Sequence, residues 1–138
     1  MLKQVSIYAE NRKGQMEHIT SVLAENDINI LGSVTNDSAE FGIVRMVTSD
    51  PEKTAQVLEK EGYHIRITPV LAVEVTDEVG NLNKLLKALD ESNINVDYLY
   101  LSFNRETGRP IMVFHAEGPY EVESCLVGKG FIMTENLR

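Results

Sequence analysis

The chain has 138 residues, of which 43% are hydrophobic and 25% are charged, and its formal net charge at pH 7 is −8. This composition is typical of a globular protein. The acidic balance argues against nucleic acid or an anionic membrane surface as the main partner, because phosphate binding requires a cationic protein face. With a single cysteine, no export signal and no apolar run of the roughly 18–20 residues that span a bilayer, we expect a cytoplasmic protein.

The first half of the chain predicts two helices among four strands. Alternating apolar residues predict the first strand, and an apolar stripe through Met16, Ile19, Thr20 and Leu23 predicts the first helix. Pro51 suits the first turn of the second helix. The predicted elements are a strand at 4–9, a helix around 16–23, strands at 28–35 and 41–48, a helix from 51 to 62, and a strand at 63–67.

The second half repeats this order. With a shift of 66 residues, Gly14 falls on Gly80 and Asn29 falls on Asn95. After a two-residue insertion the shift becomes 68, and Pro51 falls on Pro119. The elements predicted here are a strand at 71–76, a helix around 82–89, strands at 94–103 and 110–116, a helix from 119 to 130, and a strand at 131–134.

The order βαββαβ, read twice, predicts two ferredoxin-like units of the α+β class. Right-handed crossovers place both helices of a unit on one face of its antiparallel sheet. We expect domains at 1–69 and 70–138, joined too tightly at Pro69 for free linker motion. Because a unit of about 70 residues is marginal alone, we expect the halves to pack together and an exposed edge to recruit a second chain, giving a homodimer.

The repeated glycine stands where the first strand of each unit meets the first helix. Glycine permits positive φ and close backbone approach, and the helix N-terminus that follows attracts a carboxylate. A glycine needed only for a tight turn is the alternative. The repeated asparagine, at positions 29 and 95, offers a donor and an acceptor to a ligand, although asparagine also favours turns after helices.

These motifs carry a resemblance to a known family. Residues 11–16 (NRKGQM), 28–30 (INI) and 41–44 (FGIV), with 79–82 (VGNL) and 94–96 (INV) in the second half, resemble the ACT domain. The whole chain resembles the stand-alone tandem ACT proteins of bacteria and archaea. The resemblance implies a regulatory module that holds an amino acid between the strand–helix loop of one domain and the second strand of a neighbouring domain.

The resemblance also implies which residues contact the ligand. The ligand-binding candidates are Asn11, Arg12, Lys13, Gly14, Gln15, Met16, Asn29, Ile30, Leu31, Gly80, Asn81, Leu82, Asn95 and Val96. Asn11 occupies the place of a ligand-contacting asparagine, whereas Asp77 replaces it in the second copy and repels a carboxylate unless it pairs with the ammonium. We therefore expect the first loop to carry the better site. Ala9 stands where some members have a histidine, which argues against a serine-type specificity.

No residue pattern predicts catalysis, a metal site or a cofactor. The three histidines lack ligand-type spacing, and no nucleophile and base are placed together by the sequence. The leading hypothesis is a non-catalytic amino-acid sensor. The alternatives are a regulatory subunit of an amino-acid biosynthetic enzyme, as the acetolactate synthase small subunits are, and a dimerisation module that binds no ligand. A metabolic enzyme is therefore a candidate partner.

Overall fold

The structure is a computed structural model that describes residues 1–10, 12–37 and 41–138. The chain divides into two compact units. The first unit is Lys3–Thr68, and the second unit is Pro69–Arg138 together with Met1–Leu2. The described residues form seven strands and four helices in the order βαββαβαββαβ, in which one long strand serves both units.

The first unit is built on an antiparallel sheet. Its elements are β1 (Leu2–Glu10), α1 (Gln15–Glu25), β2 (Ile30–Asp37), β3 (Phe41–Thr48), α2 (Pro51–Lys60) and the first part of β4 (His64–Glu74). Strand β3 lies between β2 and β1 and is antiparallel to both, with Val44 opposite Thr35 of β2 and Ile7 of β1. The outer strand β2 therefore leaves one of its edges free of the other described strands of this unit.

The core of the first unit lies where α1 and α2 cover one face of this sheet. Val5 and Ile7 alternate along β1 and pack with Ile19, Leu23 and Leu58 of the two helices. Ile19 and Leu23 come from the predicted stripe, but Met16 is 41% exposed because it stands in the first turn of α1, beside the cavity described below.

The second unit repeats the arrangement. It contains the rest of β4, α3 (Asn81–Glu91), β5 (Tyr98–Phe103), β6 (Pro110–His115), α4 (Pro119–Gly128) and β7 (Ile132–Met133). Strand β6 lies between β5 and β4, and β7 pairs with the other edge of β4, all antiparallel. Leu85 and Leu89 of α3 pack with Leu126 of α4 and Phe114 of β6. The predicted α+β class with two ferredoxin-like units is confirmed.

Two predicted strand boundaries were wrong. The strands expected at 63–67 and 71–76 form the single strand β4, which continues through Pro69. The residue before a proline is biased toward extended backbone, so this junction favours a strand. The strand expected at 94–103 begins at Tyr98 instead. The Ile94 N–H closes the end of α3 by donating to the Leu89 carbonyl at 2.9 Å, so Ile94 belongs to the helix end and not to the strand.

Candidate functional site

The strand–helix loops place a glycine at the start of α1 and of α3. Gly14 has a φ of 90° and Gly80 has a φ of 88°, in the left-handed region, and each is the residue that precedes its helix. A Cβ at either position would meet no atom within 4 Å. The backbone conformation, and not crowding by the protein, is therefore what requires glycine here.

The N-termini of α1 and α3 differ in whether a side chain already accepts a hydrogen bond from their backbone N–H groups. In α3 the Asn81 side-chain oxygen accepts from the Leu82 N–H at 2.6 Å, and the Asn81 amide nitrogen donates to the Thr76 carbonyl at 2.9 Å. Gln15 stands at the equivalent place in α1, and its side-chain oxygen accepts from the Tyr63 hydroxyl at 2.9 Å. Among the residues that the structure describes, the N-terminus of α1 therefore has no equivalent of the Asn81 bond to the Leu82 N–H.

A cavity of about 160 Å³ opens beside this end of α1, and we call it the loop cavity. Its lining residues come from the β1–α1 loop, the first turns of α1, and the facing parts of β2 and β3: Ala9, Glu10, Arg12, Gly14, Gln15, Met16, Glu17, Ile19, Thr35, Gly42 and Val44. The lining combines an apolar floor with charged groups. Arg12 Nη1 lies 3.4 Å from Glu10 Oε2, and both side chains are largely exposed.

Such a cavity offers complementary groups to a zwitterion. The Arg12 guanidinium and the positive end of α1 attract a carboxylate, whereas the Glu10 and Glu17 carboxylates attract an ammonium. Met16 and Val44 provide apolar contact area for an aliphatic side chain.

The structure does not bring Gly14 and Asn29 together within one unit. They flank α1 at its opposite ends, and a helix of 11 residues is about 16 Å long. Asn29 is exposed, and its backbone is held by Ser49: its N–H donates to Ser49 Oγ and its carbonyl accepts from the Ser49 N–H, both at 2.9 Å. The exposed Asn95 is separated from Gly80 by α3 in the same way.

The other candidate residues differ in how far they are exposed. Lys13 is exposed, Leu31 is buried at 6% exposure, and Asn11 lies outside the described residues. Three candidates are half-buried: Ile30, Leu82 and Val96. Of the whole set, the loop cavity gathers Arg12, Gly14, Gln15 and Met16.

Sequence reasoning missed Thr35 and Val44, which line the loop cavity from neighbouring strands, and the hydrogen bonds around Tyr63. The Tyr63 oxygen lies 2.6 Å from His18 Nδ1 in addition to its bond with Gln15. Burial raises the pKa of Tyr63, and the Glu61 carboxylate adds to that rise while Arg12 opposes it. The signal for this cluster was the divergence of the repeat, in which Lys84 and Phe131 replace His18 and Tyr63.

Across residues 1–10, 12–37 and 41–138, no three histidine, cysteine, aspartate or glutamate side chains are grouped so that they could hold a metal ion. No helix in this part of the chain is both long enough and apolar enough to cross a membrane.

The two glycine-capped βαββαβ units define a tandem ferredoxin-like protein of the ACT type. The family model described as an ACT domain pair matches residues 1–138, and the chain therefore belongs to the ACT domain pair family. This result confirms the resemblance seen in the sequence.

Solved structures share the architecture. Protein BT0572 from Bacteroides thetaiotaomicron is 28% identical, with a TM-score of 0.88 over 99% of this chain and 94% of that one. The regulatory subunits of aspartate kinase from Thermus flavus (17% identity, TM-score 0.67, 91% of this chain and 88% of that one) and Thermus thermophilus (14%, 0.66, 91% and 90%) share the fold. No curated protein matches the chain significantly.

Proposed function

We propose that this protein is a non-catalytic regulator that binds a free amino acid at the strand–helix loop of its first ACT domain. The observation that carries the proposal is the loop cavity beside Gly14, where the start of α1 and Arg12 face an apolar floor. In this arrangement the ligand carboxylate lies against the first turn of α1 and Arg12. Its ammonium faces Glu10 or Glu17, and its side chain contacts Met16.

The site is completed by a second copy of the chain. Because α1 separates Gly14 from Asn29 by about 16 Å, one amino acid does not contact both residues of the same unit. In the proposed homodimer, Asn29 of the partner chain reaches the ligand, and the neighbouring candidates Ile30 and Leu31 contribute backbone groups. The domains in this proposal are residues 1–69 and 70–138.

The second loop is proposed to be the weaker site. The Leu82 N–H is already bonded to Asn81, so a ligand carboxylate gains one donor fewer at α3 than at α1. Asp77 is exposed next to this loop and adds a negative charge close to the carboxylate. Gly80, Asn95 and Val96 remain candidate ligand contacts there.

A thermal-shift screen of the twenty amino acids tests the proposal. A ligand at 100 times its Kd stabilises the native state by about 2.7 kcal/mol, which is a readily measured rise in Tm. Light scattering of the same samples should report twice the 15.5 kDa chain mass. If no amino acid changes Tm at millimolar concentration, the chain is a dimerisation module without a ligand. A 15.5 kDa monomer that still binds would contradict the shared site.

A regulatory subunit of an amino-acid biosynthetic enzyme is the second candidate function. The Thermus aspartate kinase subunits have such a role and share this fold, but at 17% and 14% identity the likeness extends to the fold alone. Affinity purification of the tagged chain from a lysate of its native cells separates the two candidate functions. A regulatory subunit retains a large catalytic chain in stoichiometric amount, whereas a free-standing sensor does not.

A further inference from the structure

A second cavity opens on the other side of the β1–α1 loop, between α1 and the turn that joins α2 to β4. We call it the His18 cavity. Its volume is about 460 Å³, and its lining includes Tyr8, Glu10, Arg12, His18, Glu61, Tyr63 and His64 of the first unit. The positive charge of Arg12 is balanced by Glu10, whose Oε2 lies 3.4 Å from Arg12 Nη1. This volume falls within the roughly 300–1,000 Å³ of small-molecule sites.

The hydrogen bonds around Tyr63 assign the proton on His18. The Tyr63 hydroxyl donates its one hydrogen to Gln15 Oε1, and burial raises the pKa of Tyr63, so the hydroxyl keeps that hydrogen at neutral pH. The Tyr63 oxygen therefore accepts from His18 Nδ1, at 2.6 Å. A neutral imidazole carries one N–H, which leaves His18 Nε2 as an acceptor.

That acceptor faces a second acceptor. His18 Nε2 lies 3.6 Å from Glu61 Oε2, and with the imidazole in its neutral form neither atom can donate to the other. Both side chains are 47% exposed, so a ligand can reach them. Two converging acceptors complement a group that carries at least two N–H donors and a positive charge.

Aromatic rings provide the rest of the surface. The Tyr8 and His64 rings lie 5.3 Å apart, and the His18 and Tyr63 rings lie 5.6 Å apart. Aromatic faces attract cations and pack against alkyl chains. We propose that the His18 cavity binds an organic cation with a primary ammonium, which donates to His18 Nε2 and Glu61 Oε2 while its aliphatic part lies against Tyr8 and His64.

The second unit has an equivalent cavity whose lining differs at the positions of His18, Glu61 and Tyr63. It measures about 160 Å³ and is lined by Lys84 and Phe131 where the first unit has His18 and Tyr63. Lys129 stands at the position of Glu61. These replacements remove the two acceptors of His18 and Glu61 and add positive charge, while Glu74 and Glu78 are the carboxylates that line this second cavity. The repeat itself supplies the test substitutions.

The test is an NMR titration of the full ¹⁵N-labelled chain with n-butylammonium chloride at neutral pH, with sodium chloride as the ionic-strength match. We expect saturable shifts of the His18, Glu61 and Tyr63 amides. Tetramethylammonium, which has no N–H donor, should bind about tenfold more weakly or worse. Glu61→Gln should weaken butylammonium about three- to tenfold, and His18→Lys should abolish binding. Lys129→Gln, at the position of Glu61 in the second unit, should leave the affinity unchanged.

Circular dichroism shows whether each variant is folded, and the isosteric Glu61→Gln keeps the test decisive if His18→Lys fails to fold. Three results would overturn the proposal: shifts that do not saturate, equal affinity for tetramethylammonium, or an unchanged affinity in Glu61→Gln. The two cavities share Ala9, Glu10, Arg12 and Gln15, whereas His18 and Glu61 line the His18 cavity alone. Glu61→Gln therefore separates the two proposals, because it should weaken butylammonium and leave the amino-acid response at the loop cavity unchanged.

Discussion

Replacing the loop glycines by alanine isolates the strain that the left-handed backbone would impose. Gly14 and Gly80 have φ values of 90° and 88°, and a Cβ there meets open space, so a steric clash contributes nothing. An L-residue in the left-handed region costs about 1–2 kcal/mol. Alanine also lowers the conformational entropy of the unfolded chain, which stabilises the folded state by about 0.4–1 kcal/mol. Gly14→Ala and Gly80→Ala should therefore each destabilise the protein by about 1 kcal/mol.

Gly128 provides the matched control. It ends α4, its φ lies outside the left-handed region, and a Cβ there also meets nothing within 4 Å. Gly128→Ala has the same effect on the unfolded chain without the strain, so it should be stabilising by up to about 1 kcal/mol. Gly80 and Gly128 belong to the same unit, so their difference of about 1–2 kcal/mol measures the backbone strain.

Urea unfolding followed by circular dichroism is the assay, since the chain has no tryptophan. The free energies are comparable only if the m-value is the same in every variant. Equal stabilities of Gly80→Ala and Gly128→Ala would refute the reasoning from φ. A stabilising Gly14→Ala would show that the loop backbone relaxes to negative φ without cost.

Three further predictions concern other parts of the chain. In titration calorimetry, Asn29→Ala should lose about 1–3 kcal/mol of the free energy of amino-acid binding, and Asn95→Ala should lose less. A larger loss for Asn95→Ala would place the better site in the second unit. Asp50→Ala should cost about 1 kcal/mol of stability in urea unfolding, because Asp50 caps α2 by accepting from the Lys53 N–H at 3.1 Å; no change would mean that another group caps the helix. The raised pKa of Tyr63 favours its protonated form in the folded state, so its contribution is present below the ordinary pKa of 10.0 and is lost as pH rises through the higher folded value. Tyr63→Phe should therefore lose stability less steeply than the wild type in thermal melts above pH 10, and parallel curves would contradict this assignment.

The sequence determined the order of the elements, because that order rests on local patterns that the repeat displays twice. Pro51 begins α2 as expected for a residue without an N–H. The fold class and the family followed from the same repeated signals. Continuity of β4 through Pro69 was not predicted, since the proline interrupted the alternating pattern that was used to recognise strands.

In the candidate site, too, some residues follow from local sequence and others only from the tertiary structure. Gly14 and Gln15, which line the loop cavity, could be predicted from the sequence as candidates because the β1–α1 loop is a continuous segment with its own conformational demand. The distance from Gly14 to Asn29 appeared only in the structure, because it depends on the direction in which β2 returns along α1. The contacts of His18 with Tyr63 and Glu61 join residues more than forty positions apart in the chain. Such contacts are formed by the packing of α1 against the α2–β4 turn, and no local pattern encodes which side chains will face each other there.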